Sequence, residues 1–281
     1  MKASFAATAL FLSAGLAAQQ VPEAPRLVVD IDTRPADPPS SSPSDFTPVG
    51  PLTYFVATSL DSGRELFVSL GSRPTTRMVA DVRVGSASSD PKTLRAVGSR
   101  LFFFADDGVH GREPWLSDGS AAGTRMIADL TPGPTGSVLT EAWAVNGRLV
   151  FLFDDGTHGI EPWVTDGTAR GTQMLADISP GAGSTVAPLA GTPSSVARDA
   201  QGREAVVFAA YNGTSIDLWR SDGTVPGTFR LANFLPAGAA IGGWATTTLP
   251  NGHAILDVTS QILFQNSRLD TWSSDGTVAG T

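Results

Sequence analysis

Residues 106–133 read DDGVHGREPWLSDGSAAGTRMIADLTPG, and residues 154–181 read DDGTHGIEPWVTDGTARGTQMLADISPG. The two stretches are nearly the same and lie 48 positions apart. A third copy occupies 211–238, the start of a fourth occupies 269–281, and a more divergent copy occupies 63–82. A period of about fifty residues is the signature of equal supersecondary units that stack on one another. The repeat therefore decides the fold class.

Each copy has an aromatic residue at the same position. These anchor aromatics, spaced by 48, 48, 56 and 53 positions, are Phe67, Trp115, Trp163, Trp219 and Trp272. In the last four copies an Asp-Gly pair follows, with its aspartate at Asp118, Asp166, Asp222 and Asp275. An aspartate side chain can cap a turn, and glycine adopts a positive φ without steric cost. We expect both positions to be structural.

Every unit has four short runs rich in β-branched or aromatic residues, and no window has a sustained helical period. In one unit the runs are 125–130, 139–145, 149–153 and 161–165. Four strands in about fifty residues predict a blade of a β-propeller, and so an all-β fold of five four-stranded blades. Pro114 and Pro162 have no N–H to donate, so we expect the Trp-bearing strand to be an edge strand or a bulged one. That places it outermost in each blade, with its indole wedged against the adjoining blade.

The two ends of the chain add three predictions. Residues 1–18 have the pattern of a Sec-type signal peptide, followed by a linker at 19–25. The repeat units then run about 26–76, 77–124, 125–172, 173–228 and 229–281. Residues 26–30 (RLVVD) match 125–129 (RMIAD), so we expect the two chain ends to close the ring. The alternative is a fragment of a larger propeller or repeat array.

Composition restricts the classes of partner. The 19 basic and 27 acidic residues give a net charge of -8, which disfavours nucleic acid as a partner. The absence of cysteine excludes disulfides, thiol nucleophiles and zinc–thiolate sites. No apolar stretch after the signal is long enough to span a membrane. These features predict a monomer that is secreted, periplasmic or attached to the cell surface.

The segment EPWLSDGSAAGT at 113–124 resembles the ELWxxDGTxxGT repeat of bacterial exported proteins, some of which are called hyalin-like. The segment LWRSDGT at 218–224 is even more similar, although Asp217 stands where the repeat has glutamate. The resemblance covers about 61–281 and is weak over 26–60. It implies a surface or secreted protein with propeller-like repeats, and it implies no activity and no catalytic residue.

Candidate site residues are those that the repeat does not explain. Trp143 aligns with Arg95 of the preceding unit, and both are candidate ligand contacts. Trp143 with Glu141, or Trp244 beside Gly242-Gly243, could form a platform for a glycan or a surface protein. The sequence favours such a binding module over an enzyme. The alternative is a polysaccharide-active enzyme that uses Glu141 and Asp257 as a carboxylate pair in the central channel. Other acids outside the repeat pattern are Asp32, Asp37, Asp45, Asp90, Asp199 and Glu204.

The Asp-Asp-Gly segments are the only pattern that suggests a metal. Asp106-Asp107-Gly108 and Asp154-Asp155-Gly156 could offer carboxylates to calcium, but their spacing differs from an EF-hand loop. His110 and His158 recur at one repeat position, which is unlike a catalytic histidine. We expect hairpin turns here, no cofactor and no metal site.

Overall fold

The computed structural model describes residues 41–134, 136–137, 139–183, 185, 194–198, 201–235, 239–248, 254–262, 268–274, 277 and 281. Within them the chain forms five antiparallel sheets, one 3-10 helix (Arg73–Thr75) and no α-helix. None of these described residues belongs to a helix long and apolar enough to cross a membrane. The predicted signal peptide, linker and closing segment 26–32 lie outside the described residues, as does Asp275.

Four sheets have four strands in sequence order, and the fifth has three described strands. The first sheet contains β1 (Ser44–Val49), β2 (Leu52–Ser59), β3 (Gly63–Ser69) and β4 (Arg77–Ala80). The second contains β5 (Lys92–Val97), β6 (Arg100–Asp106), β7 (Arg112–Ser117) and β8 (Arg125–Met126). The third contains β9 (Leu139–Val145), β10 (Arg148–Asp154), β11 (Ile160–Thr165) and β12 (Gln173–Met174). The fourth contains β13 (Ser194–Arg198), β14 (Glu204–Tyr211), β15 (Ile216–Ser221) and β16 (Phe229–Leu235). The fifth contains β17 (Ala239–Thr248), β18 (Ala254–Ile262) and β19 (Arg268–Ser274).

The sheets follow one another as blades of a β-propeller, which confirms the predicted all-β class. The first strands meet in three of the four contacts between neighbouring sheets: β1 contacts β5, β5 contacts β9, and β13 contacts β17. At the remaining junction β9 contacts β14, the second strand of the fourth sheet. The first strand of each sheet is therefore the inner one. Contact that would close the ring between the fifth and first sheets is not detected in the described part of the chain.

The Trp-bearing strand is third in its sheet, so its predicted position at the outer edge is wrong. A short outer strand follows it, and β7 pairs with β8 only at Trp115 and Leu116. The Pro114 carbonyl accepts the Ile127 N–H at 2.8 Å. The N–H and C=O of one residue in an antiparallel strand point to the same side. The proline nitrogen thus faces the short outer strand, and the ladder to β6 loses nothing.

Apolar side chains fill the spaces between adjacent sheets. Leu101 and Phe103 of β6 pack towards the first sheet, while Phe102 and Phe104 of the same strand pack towards the third. Because both faces are covered, the second strands are continuous apolar runs instead of alternating ones. Three anchor aromatics confirm the wedge prediction, since the side chains of Trp115, Trp163 and Trp219 pack against the preceding sheet. Phe67 instead packs within the first sheet, against Phe55 and Met78.

Candidate binding site at the inner strands

The Asp-Gly turns connect the third and fourth strands, at the end of each sheet called here the Asp-Gly side. In the third sheet, Asp166 accepts hydrogen bonds from the N–H and hydroxyl of Thr168 at 2.9 and 2.7 Å. Gly167 has a φ of 91°, as the sequence predicts. Asp118 and Asp222 make the same bonds to Ser120 and Thr224. These positions are structural.

An arginine from the preceding sheet holds each of these turns. The guanidinium donates to the carbonyl of the turn glycine in three successive pairs: Arg77 to Gly119 at 2.6 Å, Arg125 to Gly167 at 2.8 Å, and Arg148 to Gly223 at 2.8 Å. Gln173 occupies the position equivalent to Arg125 in the third sheet, and there Arg148 of β10 replaces it. The Asp-Gly turns therefore hydrogen-bond to the preceding blade and help to hold neighbouring blades together.

Buried glutamates of the repeat hold the connections between sheets. Glu113 and Glu161 are fully buried. Glu113 accepts the N–H groups of Leu130 and Thr131 at 2.8 and 2.9 Å. Burial raises the pKa of the Glu113 and Glu161 carboxyls to about 7, although these backbone donors oppose the rise. Carboxylates used in this way support the fold and are closed to a ligand.

The Asp-Asp-Gly segments form hairpins at the opposite end of the sheets, called here the hairpin side. Asp107 accepts the N–H groups of Val109 and His110, and its second oxygen lies 2.7 Å from His110 Nδ1. His158 and Asp155 repeat the arrangement. This confirms that both histidines are turn residues. Among the described residues, no three His, Asp or Glu side chains form a group that could hold a metal ion.

The inner strands of the first three sheets share an irregularity near the hairpin side. Pairing with the second strand shifts between Ser44 and Thr47, between Lys92 and Arg95, and between the partners of Phe151 and Phe153. The bulges include Asp45, Thr93 and Glu141, which are spaced 48 positions apart. Asp45 has a φ of 58° and Thr93 a φ of 53°. A β-branched residue in this region is a true outlier, and bulges redirect side chains beside functional sites.

Arg95 and Glu141, both predicted as ligand contacts, are brought together by adjoining inner strands. Arg95 donates from Nε to the Ala142 carbonyl at 2.9 Å and from Nη1 to the Leu94 carbonyl at 3.0 Å. It therefore bridges the second and third sheets. Burial raises the pKa of the half-buried Glu141, while the positive charge of Arg95 opposes that rise. A proton on Glu141 is thus easier to retain than on an exposed glutamate.

Trp143 is placed by the structure in the contact between the third and fourth sheets. Its ring stacks on Phe208 with centroids 5.9 Å apart and planes 22° apart. The indole N–H donates to Ser194 Oγ at 3.2 Å. One face of Trp143 is thereby used in blade packing, and contact of Trp143 with a ligand remains a prediction.

Trp244 and Asp257 lie in adjacent strands of the fifth sheet, where Trp244 pairs with Val258 and Ala245 pairs with Asp257. Within that sheet, Trp272 of β19 pairs with Leu256. The roles of Trp244 and Asp257 remain predictions from the sequence. Thr93 was not predicted as a site residue, and Asp45 was named only among the acids outside the repeat pattern, although their spacing from Glu141 is a signal in the sequence.

No family model matches the chain, and no curated protein matches it. Among solved structures, it is similar to puromycin hydrolase at 16% identity and a TM-score of 0.49, over 85% of this chain and 36% of that one. It is also similar to an endo-arabinase from Bacteroides thetaiotaomicron at 15% identity and a TM-score of 0.34, over 81% and 92% of the two chains. No site residue or activity carries over at these values.

Proposed function

We propose that the protein is an exported β-propeller that binds a glycan at the hairpin-side end of its inner strands, without catalysing a reaction. The single observation that carries this proposal is the shared bulge of β1, β5 and β9. Three adjoining strands there present Asp45, Thr93 and Glu141 at equivalent positions, and two of the three residues adopt a left-handed φ. Strained backbone of this kind persists where the surrounding structure imposes it, often at ligand sites.

The chemistry of the three side chains suits a glycan. Two carboxylates and one hydroxyl supply hydrogen-bond acceptors and a donor for the hydroxyl groups of a sugar ring. Asp45, Thr93 and Glu141 differ between units, whereas the turns and buried glutamates repeat. A ligand therefore meets a different side chain on each strand, which favours one orientation of the ligand on a repetitive scaffold. If no glycan binds, we expect the ligand to be a protein instead.

The test is binding of the purified full chain to immobilised glycans, followed by titration of the best ligand. Asp45→Asn, Thr93→Ala and Glu141→Gln should each weaken binding about fivefold, the loss of roughly one hydrogen bond. Arg73→Ala, an exposed change on the Asp-Gly side, is the control and should leave binding unchanged. If the three site variants bound the glycan as tightly as wild type and Arg73→Ala do, the proposed location would be refuted.

An enzyme acting on a polysaccharide is the second candidate, because the raised pKa of Glu141 is a property of a general acid. In this alternative Asp257 is the second carboxylate. Release of reducing sugar from the bound glycan, abolished by Glu141→Gln and by Asp257→Asn, would establish it. Binding without any turnover would leave the non-enzymatic proposal.

A further inference from the structure

Three cationic side chains converge on one carboxylate at the hairpin side, between the first and second sheets. Lys92 Nζ lies 3.0 Å from Asp90 Oδ2, Arg112 Nη2 lies 3.2 Å from the same oxygen, and Arg64 Nε lies 3.8 Å from Oδ1. Arg112 also donates to the Asp90 backbone carbonyl at 2.8 Å. The Asp90 N–H donates to the Arg64 carbonyl at 3.2 Å, which fixes this segment between the two sheets.

The cluster is specific to these two units. Arg64 and Arg112 occupy the repeat position that holds isoleucine in the next two units, at Ile160 and Ile216. Ile216 is buried and Ile160 packs against the core between the third and fourth sheets. An apolar side chain therefore satisfies the fold at this position. The two arginines are therefore specific to the first and second sheets.

The charge balance at the cluster is opposite in sign to that of the chain. Arg64, Lys92 and Arg112 face Asp90, and Arg64 also donates to Ser44 Oγ, which is hydrogen-bonded to Asp45. The five charged groups sum to +1 in a chain of net charge -8. The Lys92 and Asp90 side chains are 60% and 37% exposed, so an anion from solvent can reach them. A local positive field of this kind attracts negatively charged ligands.

We propose that this cluster binds the carboxylate of an acidic sugar, so that the glycan ligand contains uronic acid residues. The inference rests on the proposed glycan-binding function and names the class of glycan. Guanidinium groups match the planar geometry of a carboxylate. In the cluster Arg112 already contacts a carboxylate oxygen of Asp90 at 3.2 Å. Lys92 immediately precedes Thr93, and Ser44 immediately precedes Asp45. The sugar hydroxyls therefore meet the bulged inner strands while the carboxylate meets the cations.

The experiment is calorimetric titration of the full chain with trigalacturonic acid and with neutral galactotriose, at low salt and at roughly 0.5 M salt. We expect the acidic trisaccharide to bind more tightly, with an advantage that falls as salt screens the charges. Lys92→Ala and Arg112→Ile should each reduce its affinity about three- to tenfold and leave the neutral sugar unaffected. Arg73→Ala is the matched control for loss of one positive charge.

Asp90→Asn provides a second, independent readout. It removes the internal competing carboxylate while asparagine still tolerates the left-handed φ of 46° at this position. Asp90→Asn should bind trigalacturonic acid more tightly than wild type does. If the three cations served only the fold, the affinity of Asp90→Asn for this sugar would not increase. Equal binding of the two sugars, or no effect of Lys92→Ala and Arg112→Ile, would overturn the uronic acid inference and leave the proposed function standing. Loss of binding with only the Asp45, Thr93 or Glu141 variants would likewise overturn the uronic acid inference and leave the proposed glycan site standing.

Discussion

Gly171→Ala should destabilise the third sheet through a clash with one carboxylate. A Cβ at Gly171 would lie 2.2 Å from Cγ and Oδ1 of Asp166. Asp166 accepts two hydrogen bonds from Thr168, and the Thr168 hydroxyl oxygen in turn accepts the Gly171 N–H at 3.0 Å. From its place shortly before the next strand, the sequence predicts that Gly171 redirects the chain. The structure gives a different reason, since the space of its side chain is occupied by the aspartate cap.

The magnitude follows from the hydrogen bonds that the methyl group would break. Displacing Asp166 removes two bonds to an exposed charged acceptor, at about 1 kcal/mol each. Replacing glycine by alanine also restricts the unfolded chain, which offsets about 0.4–1 kcal/mol. We therefore expect a net loss of about 1–1.5 kcal/mol in the free energy of unfolding. For a chain of this size that lowers the Tm by about 2–6 °C.

The assay is urea unfolding of wild type, Gly171→Ala, Asp166→Ala and the double variant, followed by tryptophan fluorescence. In the Asp166→Ala background the clash is absent, so Gly171→Ala should stabilise the fold by about 0.4–1 kcal/mol, and the coupling energy should be about 2 kcal/mol. Gly181→Ala is the control, because its φ is 90° and no atom lies within 4 Å of the position that its Cβ would take. Its cost should be the same in both backgrounds. An equal cost of Gly171→Ala in both backgrounds would refute the steric argument.

Four further outcomes are expected. Because the folded-state pKa of Glu161 is raised to about 7, its proton stabilises the fold fully below pH 4.5, and that contribution is lost as the pH rises through 7. Thermal melts of Glu161→Gln between pH 5 and 8 should therefore be flatter than those of wild type, and parallel profiles would contradict this. Arg125→Ala should cost about 1 kcal/mol in urea unfolding through its bond to a turn of the next sheet, whereas the exposed Arg170→Ala should cost nothing measurable. Trp143→Ala should lower the free energy of unfolding by about 3 kcal/mol, with partial recovery in Trp143→Phe, and a stable alanine variant that fails to bind glycan would support the predicted platform. Deleting 26–32 should lower the Tm if these residues close the ring, and an unchanged melting curve would argue against closure.

The candidate site was only partly predictable from the sequence. Glu141 and Arg95 stood out because the repeat does not explain them, and they do lie on adjoining inner strands. The bulge that includes Thr93 could not be inferred, because it depends on the register of β5 against β6. The convergence of Lys92 and Arg112 on Asp90 was equally hidden, since 22 positions separate Arg112 from that carboxylate.

The sequence alone was enough to predict the all-β class, the strands and the Asp-Gly turns, because the same strand-forming runs and turn residues recur with a period near 48. Only the packed molecule shows that this strand is third in its sheet, because the direction of the Pro114 nitrogen depends on the neighbouring strand that each backbone group faces. Only the packed molecule likewise shows that Lys92 and Arg112 meet at Asp90. Contacts between side chains of neighbouring blades depend on how the sheets pack against one another, and the spacing of residues along the chain does not give the distance between such side chains.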